Sequence, residues 1–310
     1  MHSQVVVLGG GPGGYAAAFL AADLGMEVTL VESDPRLGGT CLLRGCIPSK
    51  ALLHVAKVIA EAREMIEWGV EFGAPKLAVE KMRARKEKVI ETLSGGLAQL
   101  AKRRNVKRIH ATGIFVDSNT LQLEGGDPAT YEEERLTFDH CILATGSTPA
   151  MPKMFAIGSE RVMDSTGALQ LADIPESLLV VGGGYIGLEM GSVYAELGSK
   201  VTVVEFTEGL LPGADRDLVK PLHKALVERF EKIYLGTKVT GLKAVGDKVE
   251  ASVEGPETSG TLTFDRVLVS VGRRPRTAGI GLENTKVTLD DKGFVRIDDQ
   301  QRTSDPAILA

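Results

Sequence analysis

The stretch VVVLGGGPGGYAAAFLAADLGMEVTLVESD (Val5–Asp34) decides how the chain is read. An apolar run gives way to glycines, the glycines to an alanine-rich segment, and that segment to a second apolar run ending in an acid. Short apolar runs bounded by glycine suit buried strands, and the segment between them suits a helix, so the stretch is a β-α-β unit. Within it Gly9, Gly11 and Gly14 form G-x-G-x-x-G, and Glu32 follows Gly9 by 23 residues. Glycines at this turn let the backbone approach a pyrophosphate, the helix N-terminus stabilises its charge, and the acid accepts from ribose hydroxyls.

The chain repeats the plan. LLVVGGGYIGLEMGSVYAELGSKVTVVEF (Leu178–Phe206) carries Gly182, Gly184 and Gly187, with Glu205 again 23 residues after the first glycine. One such pattern is weak evidence, because any tight strand-to-helix turn favours glycine. Two copies, each with a strand before, a helix after and an acid at equal spacing, predict two dinucleotide sites. A second echo pairs FDHCILATGSTP (Phe138–Pro149) with FDRVLVSVGRRP (Phe264–Pro275), each predicted to close one nucleotide domain. The boundary is placed near TPAMPKM, where two prolines end the strand pattern.

Composition narrows the function classes. The 310 residues suggest two or three domains, and 43% hydrophobic content fills their cores. A net charge of −5 leaves no footprint for nucleic acid, and the basic run KRRNVKR (Lys102–Arg108) is diluted by acids elsewhere. The N-terminus has no basic leader, and its apolar run is too short for a membrane span, so a cytoplasmic protein is expected. Two segments, 47–69 and 74–105, have apolar residues near helical spacing, and the charges of the second are read as a solvated face. Cys141, inside an apolar strand, is read as a small hydrophobe, and Trp68 and the methionines as packing.

GGTCLLRGCIPSK (Gly38–Lys50) holds Cys41 and Cys46. A pair at this spacing could be half of a metal site, an inert pair or a redox dithiol. Zinc needs about four ligands, whereas no second pair exists and the five histidines show no paired spacing, so no metal is expected. The inert reading suffers from the irregular backbone that Gly38, Gly39, Gly45 and Pro48 imply, and from a helix N-terminus able to stabilise a thiolate.

The thiol motif, both glycine units, ATG (Ala144–Gly146), VGRRP and the closing TSDPAILA together resemble the flavin-dependent pyridine nucleotide-disulfide oxidoreductases. Among these, IPSKALL is most similar to the dihydrolipoamide dehydrogenases. The resemblance implies an α/β fold with two Rossmann-like domains, each a three-layer arrangement of parallel sheet and β-meander. It divides the chain into an FAD domain (1–148), an NAD domain (149–275) and a return segment (276–310). FAD would be held by Gly9, Gly11, Pro12, Gly14, Glu32, Gly39, Thr40, Lys50, Gly113, Ala144, Thr145 and Gly146. NAD would be held by Gly182, Gly184, Gly187, Glu205, Val239, Gly272 and Arg273. A carboxylate at Glu205 accepts from a 2′-hydroxyl but repels a 2′-phosphate, so NAD is expected over NADP.

The resemblance also implies roles. Cys41 would exchange with substrate, and Cys46 would pass electrons to FAD. Lys50 would sit beside the flavin with its buried charge compensated by Glu189, and Tyr185 would cover the other flavin face. The reaction implied is oxidation of a protein-bound dihydrolipoyl group by NAD⁺. Its partners would be a lipoyl-bearing acyltransferase of a 2-oxo acid dehydrogenase complex or the glycine cleavage carrier, with a homodimer as the full-length form. The family pattern continues past Ala310 into an aspartate that holds the flavin ribitol and a dimerisation domain with a His–Glu base. This chain is therefore expected not to turn over lipoamide by itself. The competing readings are a mercuric or glutathione-type reductase and a non-catalytic FAD/NAD-binding redox module.

Overall fold

The computed structural model describes all 310 residues, and they form two units. One comprises Met1–Cys46, Val89–Thr148 and Arg274–Ala310; the other comprises Ile47–Lys88 and Pro149–Arg273.

The first unit is built on a sheet of seven strands. Its centre is β1 (His2–Leu8), flanked in parallel by β2 (Val28–Glu32) and by β6 (Arg135–Leu143). Beyond β2 lies β3 (Lys107–His110), and beyond β6 the antiparallel β5 (Thr120–Glu124) and β4 (Thr112–Asp117). Val5, Val6, Val7 and Leu8 are all buried, as a strand covered on both faces requires. Helix α1 (Pro12–Asp23) follows the first glycine turn and packs Ala18 and Ala21 against the sheet with Val5, Val7 and Leu30.

Helices α2 (Gly39–Arg44), α3 (Cys46–Glu64) and α4 (Val79–Arg103) follow. From Ile47 to Lys88 the chain packs in the second unit, not with the domain to which the sequence reading assigned it. The reason is nonlocal: Leu52 is 2% exposed in a cluster with Leu188, Met190 and Val193, more than a hundred residues away. The segment after Arg274 joins the first unit, where Ile308–Leu309 adds a short parallel strand to β6. Asp305 anchors it, accepting from Ser118 Oγ (2.5 Å), Lys286 N (3.0 Å) and Ala307 N (3.1 Å). Burial alone would raise its carboxyl pKa; these donors outweigh burial and hold it below the usual value.

The second unit repeats the plan. Its five-stranded parallel sheet runs Lys232–Tyr234, Lys200–Val204, Ser177–Val181, Arg266–Val269, Val162–Met163. After α5 (Ser165–Gln170) come α6 (Tyr185–Glu196), which follows the second glycine turn, and α7 (Arg216–Arg229). A three-stranded meander, Lys238–Val245, Lys248–Glu254 and Ser259–Phe264, completes it. The α/β fold with two Rossmann-like halves is thus present. Trp68 departs from its reading as a packing residue: it is 80% exposed in a single 3₁₀ turn (Met65–Trp68) too short to fold back on a core. Cys141 is fully buried among Val6, Phe138 and Ile308, and desolvation pushes its thiol pKa far up, so it is inert.

Candidate nucleotide and dithiol sites

Both glycine turns close in the same way. Gly9 and Gly182 have φ of 111° and 105°, and the next residue in each turns its amide onto the acid at the end of the following strand. Gly10 N donates to Glu32 Oε2 at 2.5 Å, and Gly183 N to Glu205 Oε2 at 2.6 Å. Gly11 and Gly184 are the N-caps of α1 and α6, with extended backbones and no side-chain cap, which leaves first-turn amides for an anion. Gly14 and Gly187 explain the third glycine: a Cβ at either would collide with the carbonyl of Gly9 or Gly182, so only glycine lets the helix pack this closely.

The acids have a second task that the sequence alone did not show. Glu32 Oε1 accepts from Asp34 N (2.8 Å) and Ser33 Oγ (3.1 Å), while Glu205 Oε1 accepts from Thr207 N and Oγ1, both at 2.7 Å. Each carboxylate therefore braces its own turn, and its remaining lone pairs are what a ribose can use. Glu205 is 7% exposed, which makes those protein donors necessary for a buried charge.

Three further segments meet the first turn. The ATG loop follows β6: Ala144 N donates to Leu8 O, the Ala144 carbonyl lies against Gly9, and Thr145 Oγ1 donates to Arg276 O. Gly146 has φ 71° and accepts from Arg276 N. At Gly39 a Cβ would stand 2.5 Å from Gly11 Cα, so α2 begins directly against the turn. Gly113 is buried in β4, and the space a Cβ would take is filled by Leu8 and Leu121, so it can offer a ligand only backbone.

The thiols lie on either side of a break between α2 and α3. Gly45 makes the break possible: a side chain there would meet Thr40 O at 2.7 Å and Cys41 Cα at 3.3 Å. All three cysteines are thiols, with Cys41 half-buried and Cys46 exposed. Cys46 is the first residue of a 19-residue helix, where partial positive charge favours a thiolate. Arg44, the one cation between the two thiols in sequence, forms an ion pair with Asp34. With the Asp34 N to Glu32 bond, this links the thiol turn to the first acid, a connection sequence reasoning missed.

In the second unit Lys50 Nζ donates to Glu189 Oε1 at 2.6 Å, and Ser49 Oγ to Glu189 Oε2 at 2.5 Å. The expected Lys50–Glu189 pair is thus present, with Lys50 59% exposed and Glu189 28%. Ser49 is an added partner the sequence reading did not name. Tyr185 opens α6 and is 63% exposed. The Val239 side chain lies in the core with Phe155, Leu179 and Val253, so it is its backbone that can line a ligand. Gly272 has φ 124° and open space where a Cβ would be, and Arg273 follows it half-buried.

The model of the pyridine nucleotide-disulphide oxidoreductase family matches residues 3–310. The chain belongs to that family. Members use FAD and NAD(H), and the two turns described above fit one dinucleotide each. Proteins named dihydrolipoyl dehydrogenase match all of the chain: 47% identity in Vibrio parahaemolyticus and 46% in Haemophilus influenzae. A leghemoglobin reductase of Glycine max is 39% identical. Among solved structures, the HOCl-induced flavoprotein disulfide reductase RclA of Escherichia coli, in its Cu(II) complex, aligns over the whole chain with a TM-score of 0.85 and 28% identity. The chain spans 64% of the length of the dihydrolipoyl dehydrogenases and 65% of RclA. No helix is long and apolar enough to cross a membrane.

Proposed function

We propose that the chain carries the nucleotide sites and redox dithiol of an NAD-dependent dihydrolipoyl dehydrogenase acting on protein-bound dihydrolipoyl groups. The observation that carries this reading is the packing of α2 against the first glycine turn, Gly39 on Gly11, which ties the Cys41–Cys46 segment to a nucleotide site. The names of the more similar relatives favour the dihydrolipoyl substrate over other disulfides. Glu205 favours NAD over NADP and disfavours a glutathione-type reductase. The partners fitting this reading are lipoyl-bearing acyltransferases of 2-oxo acid dehydrogenase complexes or the glycine cleavage carrier, met in the cytoplasm by a homodimer.

Bound FAD would accept an electron pair from the dithiol, and NAD⁺ would remove it as hydride. The chain's own part begins with a Cys41–Cys46 disulfide. A substrate thiolate attacks Cys41 Sγ, the S–S bond breaks, and Cys46 leaves as a thiolate stabilised by the α3 N-terminus. The second substrate thiolate then attacks the substrate sulfur bound to Cys41, which closes the substrate disulfide and releases Cys41 as thiolate. Two protons leave the substrate thiols, and two electrons remain on the cysteine pair. Lys50 is held by Glu189, and Tyr185 opens α6 of the same unit.

The test is anaerobic addition of dihydrolipoamide to the FAD-loaded chain at mildly alkaline pH, where the substrate thiols ionise without a base. Flavin absorbance should change, with a long-wavelength charge-transfer band. Cys46→Ser should abolish the band, and Cys41→Ser should retain it while blocking the response to dihydrolipoamide. Identical behaviour of the two variants contradicts the separate roles. A flavin that answers NADH but never dihydrolipoamide contradicts the substrate.

A further inference from the structure

The basic run Lys102–Arg108 plays no part in either nucleotide site, yet it borders an open cleft of about 390 Å³ at the end of α4, lined by Ala98, Gln99, Lys102, Val106 and Arg108. All five residues belong to the first unit. Arg108 on β3 is the unusual member. Its Nε is buried and has no hydrogen-bond partner, and burial lowers the guanidinium pKa with no carboxylate acting against it. A buried donor left unpaired calls for a water or an ion, and a half-buried cation without a counter-charge calls for an anion.

The other cations do not supply an explanation from within the fold. The carbonyls ending α4 are already taken: Arg104 N donates to Leu100 O, Asn105 N to Lys102 O and Val106 N to Ala101 O. Lys102 is therefore not needed as a cap, and it has no acidic partner. Arg104 is paired with Asp23, and Lys107 Nζ is 3.4 Å from Met1 Sδ, so these two are engaged elsewhere. What remains at the cleft is the Arg108 guanidinium, the Lys102 ammonium, the Gln99 amide and the small apolar side chains of Ala98 and Val106. The volume falls in the range of small-molecule sites and exceeds what a bare inorganic anion fills.

We propose that this cleft binds a small organic phosphate, with its dianion between Arg108 and Lys102 and its organic body against Ala98 and Val106. Planar guanidinium and ammonium donors at one phosphate give charge-assisted bonds, the strongest class of hydrogen bond available to such a group. The site rests on neither glycine turn and is independent of the function proposed above.

The experiment is calorimetric titration of the chain, saturated with FAD and NAD⁺ so that both glycine turns are filled, with glucose 6-phosphate at fixed ionic strength. Glucose and inorganic phosphate serve as comparisons. Saturable binding of one glucose 6-phosphate per chain is expected, tighter than inorganic phosphate and absent for glucose. Arg108→Gln and Lys102→Gln should each weaken it by about tenfold or more, and Arg108→Lys should restore part of the loss. Ala98→Leu fills the cleft without changing charge and should abolish binding with an unaltered melting temperature, which keeps the test open if Arg108→Gln folds poorly. No saturable heat and no thermal shift with glucose 6-phosphate, or binding that survives Arg108→Gln combined with Lys102→Gln, overturns the proposal and leaves water as the partner of Arg108.

Discussion

The two glycine turns use the same parts and differ in what lies over them. At the first, the protein itself covers the turn: α2 starts on Gly11, and the ATG loop lies against Gly9. At the second, the carbonyl of Ser270 crosses Gly182 in the same way, but a Cβ at Gly184 would meet nothing within 4 Å. The large side chains beside that turn are open, with Tyr185 63% and Phe206 71% exposed. An enclosed turn suits a nucleotide that stays, and an open one suits a nucleotide that comes and goes. On the proposed reading, the same strand–turn–helix unit would serve a resident FAD and an exchanging NAD, with the difference carried by neighbouring segments and not by the motif.

The largest effect should come from adding one carbon to each turn. Gly39→Ala puts a Cβ against Gly11 at a residue with φ 56°, so both packing and backbone suffer. We expect it to destabilise the first unit by roughly 1–3 kcal/mol and to prevent flavin retention. Gly184→Ala has φ −76° and open space, so its unfolding free energy should stay within about 0.5 kcal/mol of the parent. NAD affinity should still fall, because a Cβ at this helix N-cap would hinder the close approach of a pyrophosphate to the backbone. Denaturant titration and NADH binding on both variants check this, and equal loss of stability would break the contrast.

A middle-sized effect should separate the acids. Glu205 is the more buried, and it braces its turn through three donors that Gln can satisfy only in part. Glu205→Gln should weaken NAD binding and erode the preference over NADP, most visibly when a basic residue is placed nearby. Measured dissociation constants for both cofactors test it. Equal affinities already in the parent would contradict the role assigned to Glu205.

Much of this was legible in the sequence for a physical reason: strand runs, the glycine turn and the acid 23 residues on are local constraints that a short window reveals. The β-α-β units, their repetition and the inert Cys141 could all be read that way. What escaped depends on tertiary partners. Leu52 carries 47–88 into the second unit, and Ser49 joins Lys50 on the Glu189 carboxylate. Trp68 has no core within reach of its turn. Gly45 was visible as an irregularity, but the contact with Thr40 and Cys41 that requires it was not.

The repeated Phe-Asp pair gives the smallest and most selective effect. Asp265 accepts from Ser177 N (2.8 Å) and Ser177 Oγ (2.6 Å), whereas Asp139 is 59% exposed beside His2. The Ser177 hydroxyl, with the backbone amide and Lys248, holds the Asp265 carboxyl below its ordinary value of 3.8. A depressed folded pKa contributes stability above the unfolded value, and that contribution is lost as pH falls through the folded one. Asp265→Asn should therefore lower the melting temperature at neutral pH, with the gap closing below about pH 4. Asp139→Asn should change it little at any pH. A parallel pH profile for the two variants would show that the echo in sequence carries the same duty in both halves.

The most direct test of the account is to measure FAD and NADH dissociation constants on the same preparation of the chain, by flavin absorbance after ultrafiltration and by nucleotide fluorescence. The account predicts that FAD is retained through exchange into cofactor-free buffer, with a dissociation constant at least about a hundredfold below that of NADH, a gap near 2.8 kcal/mol. Equal affinities, or NADH retained while FAD washes away, would contradict the claim that the enclosed first turn holds the resident nucleotide.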